Sequence, residues 1–300
     1  MSERHFMELY RARAALGKAV CVGLDLDLAR ISPARHRQAS GDPEEILFNV
    51  GASLVQATGD IAGAYKPNIA FYEACGQAGL SALRRIIAQA HALVPEVPVI
   101  LDAKRADIDS TNLGYVFSAF EYFRADAITV HPYLGAEALQ PFLKREDKGI
   151  IVLCRTSNKG AGELQDSQVL IDDPEEHAFF ESRGCAMMDV MGHMQAAINL
   201  YEHVAYRVAR HWNTRGNCGL VVGATYPEEL GRVRRIVGDM PLLIPGIGAQ
   251  GGDVEATVRN GRDSNGQGMI INSSRGIIYA ENPRAEALKL DGLIRQFATA

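Results

Sequence analysis

Short, nearly continuous apolar runs recur along the chain: AVCVGLD at 19–25, IAGAYK at 61–66, VPVILDAK at 97–104, ADAITVH at 125–131, GIIVLC at 149–154, GLVVG at 219–223, MPLLIPG at 240–246 and GMIIN at 268–272. Runs that are apolar throughout, instead of alternating with polar residues, mark strands of a parallel sheet covered on both faces. Between most of them the apolar residues fall at helical spacing, as in 80–93 and 227–237. Eight strands alternating with helices predict a closed (β/α)8 barrel, the TIM-barrel architecture, in preference to an open doubly wound sheet. No Rossmann glycine fingerprint follows the first run. The rhythm breaks once, between the fifth and sixth strands, where roughly 158–218 is too long for one loop and one helix. That stretch is expected to be an insertion on the barrel rim, with a helix-like run from Cys185 to Val208. No Pro/Gly/Ser-rich linker interrupts the chain, so residues 1–300 are expected to form a single barrel domain, opening with a charged N-terminal helix.

Composition narrows the function classes. A hydrophobic content of 47% with 22% charged residues suits a chain with a large core. The net charge of −5 gives no basic field for nucleic acid or a membrane surface, yet leaves room for a local cationic pocket. No segment reaches the roughly 20 apolar residues that cross a bilayer, and the first residues lack the apolar stretch of a signal peptide. The five cysteines, Cys21, Cys75, Cys154, Cys185 and Cys218, form no CxxC pair and are expected as thiols in a reducing compartment. A cytoplasmic protein binding neither nucleic acid nor membrane is expected. His131 and Tyr133, after the fourth run, are expected to be structural and packing residues.

In such a barrel, polar residues at the C-terminal ends of strands face the active-site mouth. Here the first run ends in Asp25, the second in Lys66 and the third in Asp102 and Lys104, with Asp107 soon after. Asp102 and Lys104 are two apart, so an extended strand points both to one side. A solvated ion pair would account for one such pair alone, but charges converging from three strand ends point to a shared cavity. Asp107, with Asp109 and Ser110, could also simply open the next helix. The loops after the seventh and eighth strands, PGIGAQGG at 245–252 and NSSRG at 272–276, combine glycines with an arginine. Glycine lets backbone N–H groups approach an anion and the guanidinium matches phosphate oxygens, at the place where barrels often bind phosphate.

With DAKRADIDST at 102–111, KPNIAFYEACG at 66–76, PGIGAQGG and NSSRGI at 272–277, the chain resembles orotidine 5'-phosphate decarboxylase in its longer bacterial form, from about 22 to about 282. The DxKxxD pattern is shared with a wider superfamily of phosphosugar enzymes, whereas Lys66 and the two phosphate loops narrow the match. The resemblance implies decarboxylation of orotidine 5'-monophosphate to UMP in de novo pyrimidine biosynthesis, without metal or cofactor. It implies a charged tetrad of Lys66, Asp102, Lys104 and Asp107, with Lys104 as proton donor to C6. It further implies a homodimer in which Asp107 and Thr111 reach the partner's site. Asp25 and Lys66 would hold the ribose, Ser157 would read the pyrimidine edge, and Gln250, Gly251 and Arg275 would hold the phosphate. The alternative is a Mg-dependent phosphosugar decarboxylase or aldolase of the same superfamily, but Lys66 and Lys104 would oppose a cation between Asp25 and Asp102. One departure stands out: Ala106 occupies a place where related sequences usually carry glycine, and a positive φ there would strain it.

Overall fold

Isoleucine, valine and leucine dominate the segments that become strands, and the computed structural model describes residues 4–298 except 34–36, 38–40, 185, 191–192 and 248–251. In chain order the strands are β1 Val20–Gly23, β2 Ala64–Lys66, β3 Ile100–Arg105, β4 Ala127–Val130 and β5 Gly149–Arg155. They are followed by β6 Gln168–Ile171, β7 Ala186–Val190, β8 His193–Asn199, β9 Cys218–Val222, β10 Leu242–Pro245 and β11 Met269–Ser273. Eight of them form one parallel sheet in the order β2-β1-β11-β10-β9-β5-β4-β3. Parallel bridges Tyr65 to Val99 and Asn68 to Asp102 bring β2 onto β3 and close the barrel. Each of the eight predicted runs overlaps one of these strands.

The period of two along every strand decides what the barrel holds. One interior cluster takes a residue from each of the eight strands: Cys21, Ala64, Ile100, Ala127, Ile151, Val221, Leu243 and Ile270. Phe6 and Tyr10, from the N-terminal helix Phe6–Ala15, join this cluster and plug the lower end of the barrel. Gly149 makes room for the plug, since a Cβ there would stand 2.3 Å from the Phe6 ring. Two residues further along, the positions are Gly23, Lys66, Asp102, Thr129, Leu153, Gly223, Pro245 and Asn272, and all but Leu153 are polar or small. The apolar layer below therefore serves as the floor on which the charged layer stands.

The amphipathic segments form helices Gly76–Leu93 and Pro227–Val237 on the outside of the sheet. Helix Pro43–Thr58 starts where Asp42 accepts the Glu44 N–H and Pro43 presets the first turn. Between β5 and β9 the chain builds a second, antiparallel sheet in the order β6-β8-β7. This corrects the helix-like reading of the run from Cys185 to Val208: 186–190 and 193–199 pair as antiparallel strands, and helix begins only at Leu200. The run has the apolar content of a helix but not its fixed start. That start is the capping box of Asn199 and Glu202, and what precedes it finds hydrogen-bond partners in β6 and in itself. Cys185 lies outside the described residues. Among the described residues no helix is long and apolar enough to cross a membrane. Cys21, Cys154 and Cys218 are buried strand residues, and burial pushes the Cys21 and Cys218 thiols up to about 12.

Candidate active site

Above the apolar layer, at the C-terminal ends of the strands, opens a cavity of about 550 Å3. Its floor is Lys66, Asp102, Thr129, Leu153, Pro245 and Asn272, the polar layer just described, and Asp25, Lys104, Ser157 and Arg275 line its walls. Six of the residues singled out in the sequence thus meet in one place: Asp25, Lys66, Asp102, Lys104, Ser157 and Arg275.

Asp102 is the centre of the charge arrangement. One carboxylate oxygen accepts from Lys66 Nζ at 2.9 Å; the other accepts from Lys104 Nζ at 2.5 Å and from Thr129 Oγ1 at 2.9 Å. Burial alone would raise its pKa, but the two ammonium groups and their hydrogen bonds hold it well below the usual carboxylate range. Lys66 is 4% exposed. Burial would favour its neutral amine, yet Asp25 and Asp102 outweigh that and hold the ammonium above the ordinary lysine range. Lys66 Nζ stands 2.9 Å from Asp102 and 4.0 Å from Asp25, in the place a divalent ion between those carboxylates would need. Asp25 is fixed in turn by the Asn68 N–H, at 3.1 Å.

Lys104 reaches the cavity by an irregular route. The expected extended strand does not continue through it: β3 slips register against β4 between Leu101 and Arg105, and Lys104 has φ 48°. The backbone N–H groups of Ala103 and Lys104, displaced from the ladder, both donate to Thr129 Oγ1 at 3.0 Å. A bulge at a barrel rim re-aims a side chain in this way. Lys104 and Asp102 still share the cavity, but through this bulge and not through a regular two-residue alternation. Ala106 is not among the residues with positive φ, so the glycine of related sequences is not required there by its backbone.

Asp107 and Thr111 do not line the cavity of their own chain. The Asp107 carboxylate accepts the Ile108 N–H at 2.6 Å, and its backbone is clasped by buried Asn112. Thr111 lies on a separate groove with Arg105 and Tyr115. Ser157 is pressed against the turn that follows β9: a Cβ at Gly223 would stand 2.7 Å from Ser157 Cβ, and Thr225 Oγ1 donates to the Ser157 carbonyl at 3.3 Å. Arg275 opens the short helix Arg275–Ile278. Gln250 and Gly251 lie outside the described residues. His131 is half-buried and its Nδ1 accepts the Tyr133 N–H at 3.3 Å; Tyr133, expected to pack, is instead 87% exposed. Its place in a turn after β4 leaves the ring no neighbouring element to cover it.

The sequence reading missed Thr129, the single hydroxyl in a buried AITV run, whose polarity amid apolar neighbours was the available signal. It also passed over Asn272, whose Oδ1 is buried without a hydrogen-bond partner. Arg30 and Tyr279, which stack at 4.1 Å, and Gln165 also line the cavity and were not singled out.

A family model described as orotidine 5'-phosphate decarboxylase / HUMPS family matches residues 18–290. The chain is 49% identical to a protein of Azoarcus sp. (strain BH72) named orotidine 5'-phosphate decarboxylase, over 92% of this chain and 90% of that one. Among solved structures it resembles Leishmania donovani OMP decarboxylase with TM-score 0.79 and 36% identity, covering 99% of both chains. It resembles Leishmania donovani UMP synthase with TM-score 0.81 and 38% identity, covering 99% of this chain and 57% of that one.

Proposed function

The chain belongs to the orotidine 5'-phosphate decarboxylase / HUMPS family and decarboxylates orotidine 5'-monophosphate to UMP in pyrimidine biosynthesis, and from that premise we propose that Lys104 supplies the proton that replaces the carboxylate. When the bond from C6 to the carboxylate breaks, CO2 leaves and the electron pair stays on C6, where no carbonyl is placed to delocalise it. A fixed ammonium stabilises that charge as it grows. Its proton then passes to C6, leaving a neutral amine that regains a proton from solvent. No metal or cofactor enters these steps. The observation that carries the reading is the Asp102 carboxylate held between Lys66 and Lys104 on the cavity floor. It keeps Lys104 positioned and puts a fixed negative charge beside the departing carboxylate.

Enzymes lower barriers by ~8–23 kcal/mol, more than one lysine supplies. Binding at a distance from C6 contributes the rest by driving the loops over the ring. In this reading Arg275, with Gln250 and Gly251, takes the phosphate, Asp25 and Lys66 take the ribose, and Ser157 takes the pyrimidine edge. Asp107 and Thr111 act in the site of a second copy. Exposed Ile108, Leu113 and Phe117 flank them and supply an apolar face for a homodimer. Cytoplasmic residence fits the four described cysteines, each a free thiol.

The test is Lys104→Ala, expected to lower kcat by roughly 10^3-fold or more while UMP binding stays within about tenfold. A Lys104→Arg variant that still made UMP at the normal rate would overturn the assignment, because a guanidinium does not give up its proton.

A further inference from the structure

The segment that joins β5 to β9 reaches back to the cavity through Gln165, the last residue of the short helix Gly162–Gln165. Its amide is engaged on both sides. Oε1 accepts the Thr156 N–H at 2.9 Å and Arg155 Nη1 at 3.3 Å, while Nε2 donates to Thr156 Oγ1 at 2.9 Å. That leaves the Thr156 hydroxyl to donate to Asn158 Oδ1 at 2.7 Å. Both neighbours of Ser157 are therefore tied, directly or through one hydroxyl, to a single side chain from outside the barrel strands.

Arg155 holds Gln165 in turn. It is 2% exposed, its guanidinium lies 4.0 Å over the Tyr226 ring, and Nη2 stands 3.2 Å from Asp166 Oδ2. Its Nε is buried without a hydrogen-bond partner. Burying a guanidinium with one nitrogen unsatisfied is costly, and the group lines no part of the cavity itself. The side-chain hydrogen bonds it does make converge on Gln165 and its neighbour Asp166. On the opposite side Gly223 and Thr225 close on Ser157, so the loop is gripped from the turn after β9 and from the β5–β9 segment together.

We infer that Gln165, oriented by Arg155, is a positioning residue that latches Thr156 to Asn158 in the conformation presenting Ser157 to the pyrimidine ring. The inference rests on the reading of Ser157 as the ring contact. It assigns ring selectivity partly to a segment outside the eight β/α repeats, and it separates ring binding from phosphate binding. A ligand with ring and phosphate should feel the latch, whereas a ligand with the phosphate and sugar alone should not.

The experiment compares Q165L, Q165E and S157A with the unsubstituted protein by KM and kcat for orotidine 5'-monophosphate and by inhibition constants for UMP and ribose 5-phosphate. Losing the latch in Q165L should weaken UMP and raise KM roughly tenfold, the scale of one or two hydrogen bonds. Ribose 5-phosphate inhibition should stay within about twofold, with kcat falling less than KM rises. Q165E keeps both acceptor contacts and loses only the donor to Thr156, so about threefold weakening of UMP is expected; it also carries the test should Q165L fail to fold. UMP binding unchanged in both Gln165 variants, or UMP and ribose 5-phosphate weakened equally, overturns the latch. If S157A weakens UMP and the Gln165 variants do not, the latch alone fails. If S157A binds UMP normally, the ring-reading role of Ser157 fails, and the latch falls with it.

Discussion

Lys104 sits in the left-handed backbone region, where a residue with a Cβ costs roughly 1–2 kcal/mol. The compensation is visible at Thr129, whose hydroxyl oxygen accepts the two displaced N–H groups and whose proton goes to Asp102. Thr129→Val keeps the shape and removes all three bonds. It is expected to cost about 2 kcal/mol of stability, because two backbone donors are left without their acceptor, and to lower kcat/KM by roughly tenfold or more as Lys104 and Asp102 lose their alignment. Urea unfolding and steady-state kinetics on the same preparation check both parts; a stable variant with normal kinetics would show that the bulge holds itself. The charges at 25, 66, 102 and 104 were legible because charge is conspicuous at the end of an apolar run. Thr129 was not, because a hydroxyl amid β-branched residues is equally at home in any strand.

Among the elements, β4 has a second charged anchor at its lower end. Asp126 is fully buried just before Ala127 and accepts from Arg4 Nε at 2.8 Å, from the Val99 N–H at 2.8 Å and lies 3.2 Å from His91 Nε2. It ties the N-terminal segment, the helix Gly76–Leu93 and the start of β3 to one carboxylate. Burial would raise its pKa, but the hydrogen bonds from His91 and Arg4 lower it from 3.8 to about 2. The folded value lies below the unfolded one, so the stabilisation is fully present above about pH 4 and is lost as pH falls towards 2. The size is roughly 2 kcal/mol. Asp126→Asn should therefore be less stable than the parent at pH 7 by about that amount, with the gap closing between pH 4 and pH 2. Denaturant titrations across that range check it, and a gap independent of pH would contradict it. The existence of each of the eight barrel strands was readable from its apolar run. The β6-β8-β7 sheet was not, since apolar content alone does not distinguish a period of two from one of 3.6 when no cap marks the start.

For the whole molecule, the question is whether Asp107 and Thr111 work in trans. They lie outside the cavity of their own chain and beside the exposed Ile108, Leu113 and Phe117. Lys104→Ala and Asp107→Ala, each nearly inactive alone, should regain activity when mixed and allowed to exchange subunits. Half of the dimers would then be mixed, each with one complete site, for about a quarter of the parent activity. No recovery in dimers proven to have exchanged would place Asp107 in its own chain's site or outside the chemistry.

The order of apolar runs was enough to specify an eight-stranded parallel barrel, because strands buried on both faces leave a continuous hydrophobic trace that little else in the chain imitates. The same trace places charge at strand ends, and strand ends in a barrel converge on one mouth. What needed the tertiary structure was everything set by contacts across the chain. The closure of β2 on β3, the slip that aims Lys104, the approach of Gly223 to Ser157 and the plug of Phe6 beneath the interior each join residues far apart in sequence. Local propensity carries no information about such meetings, which exist only once the barrel has closed.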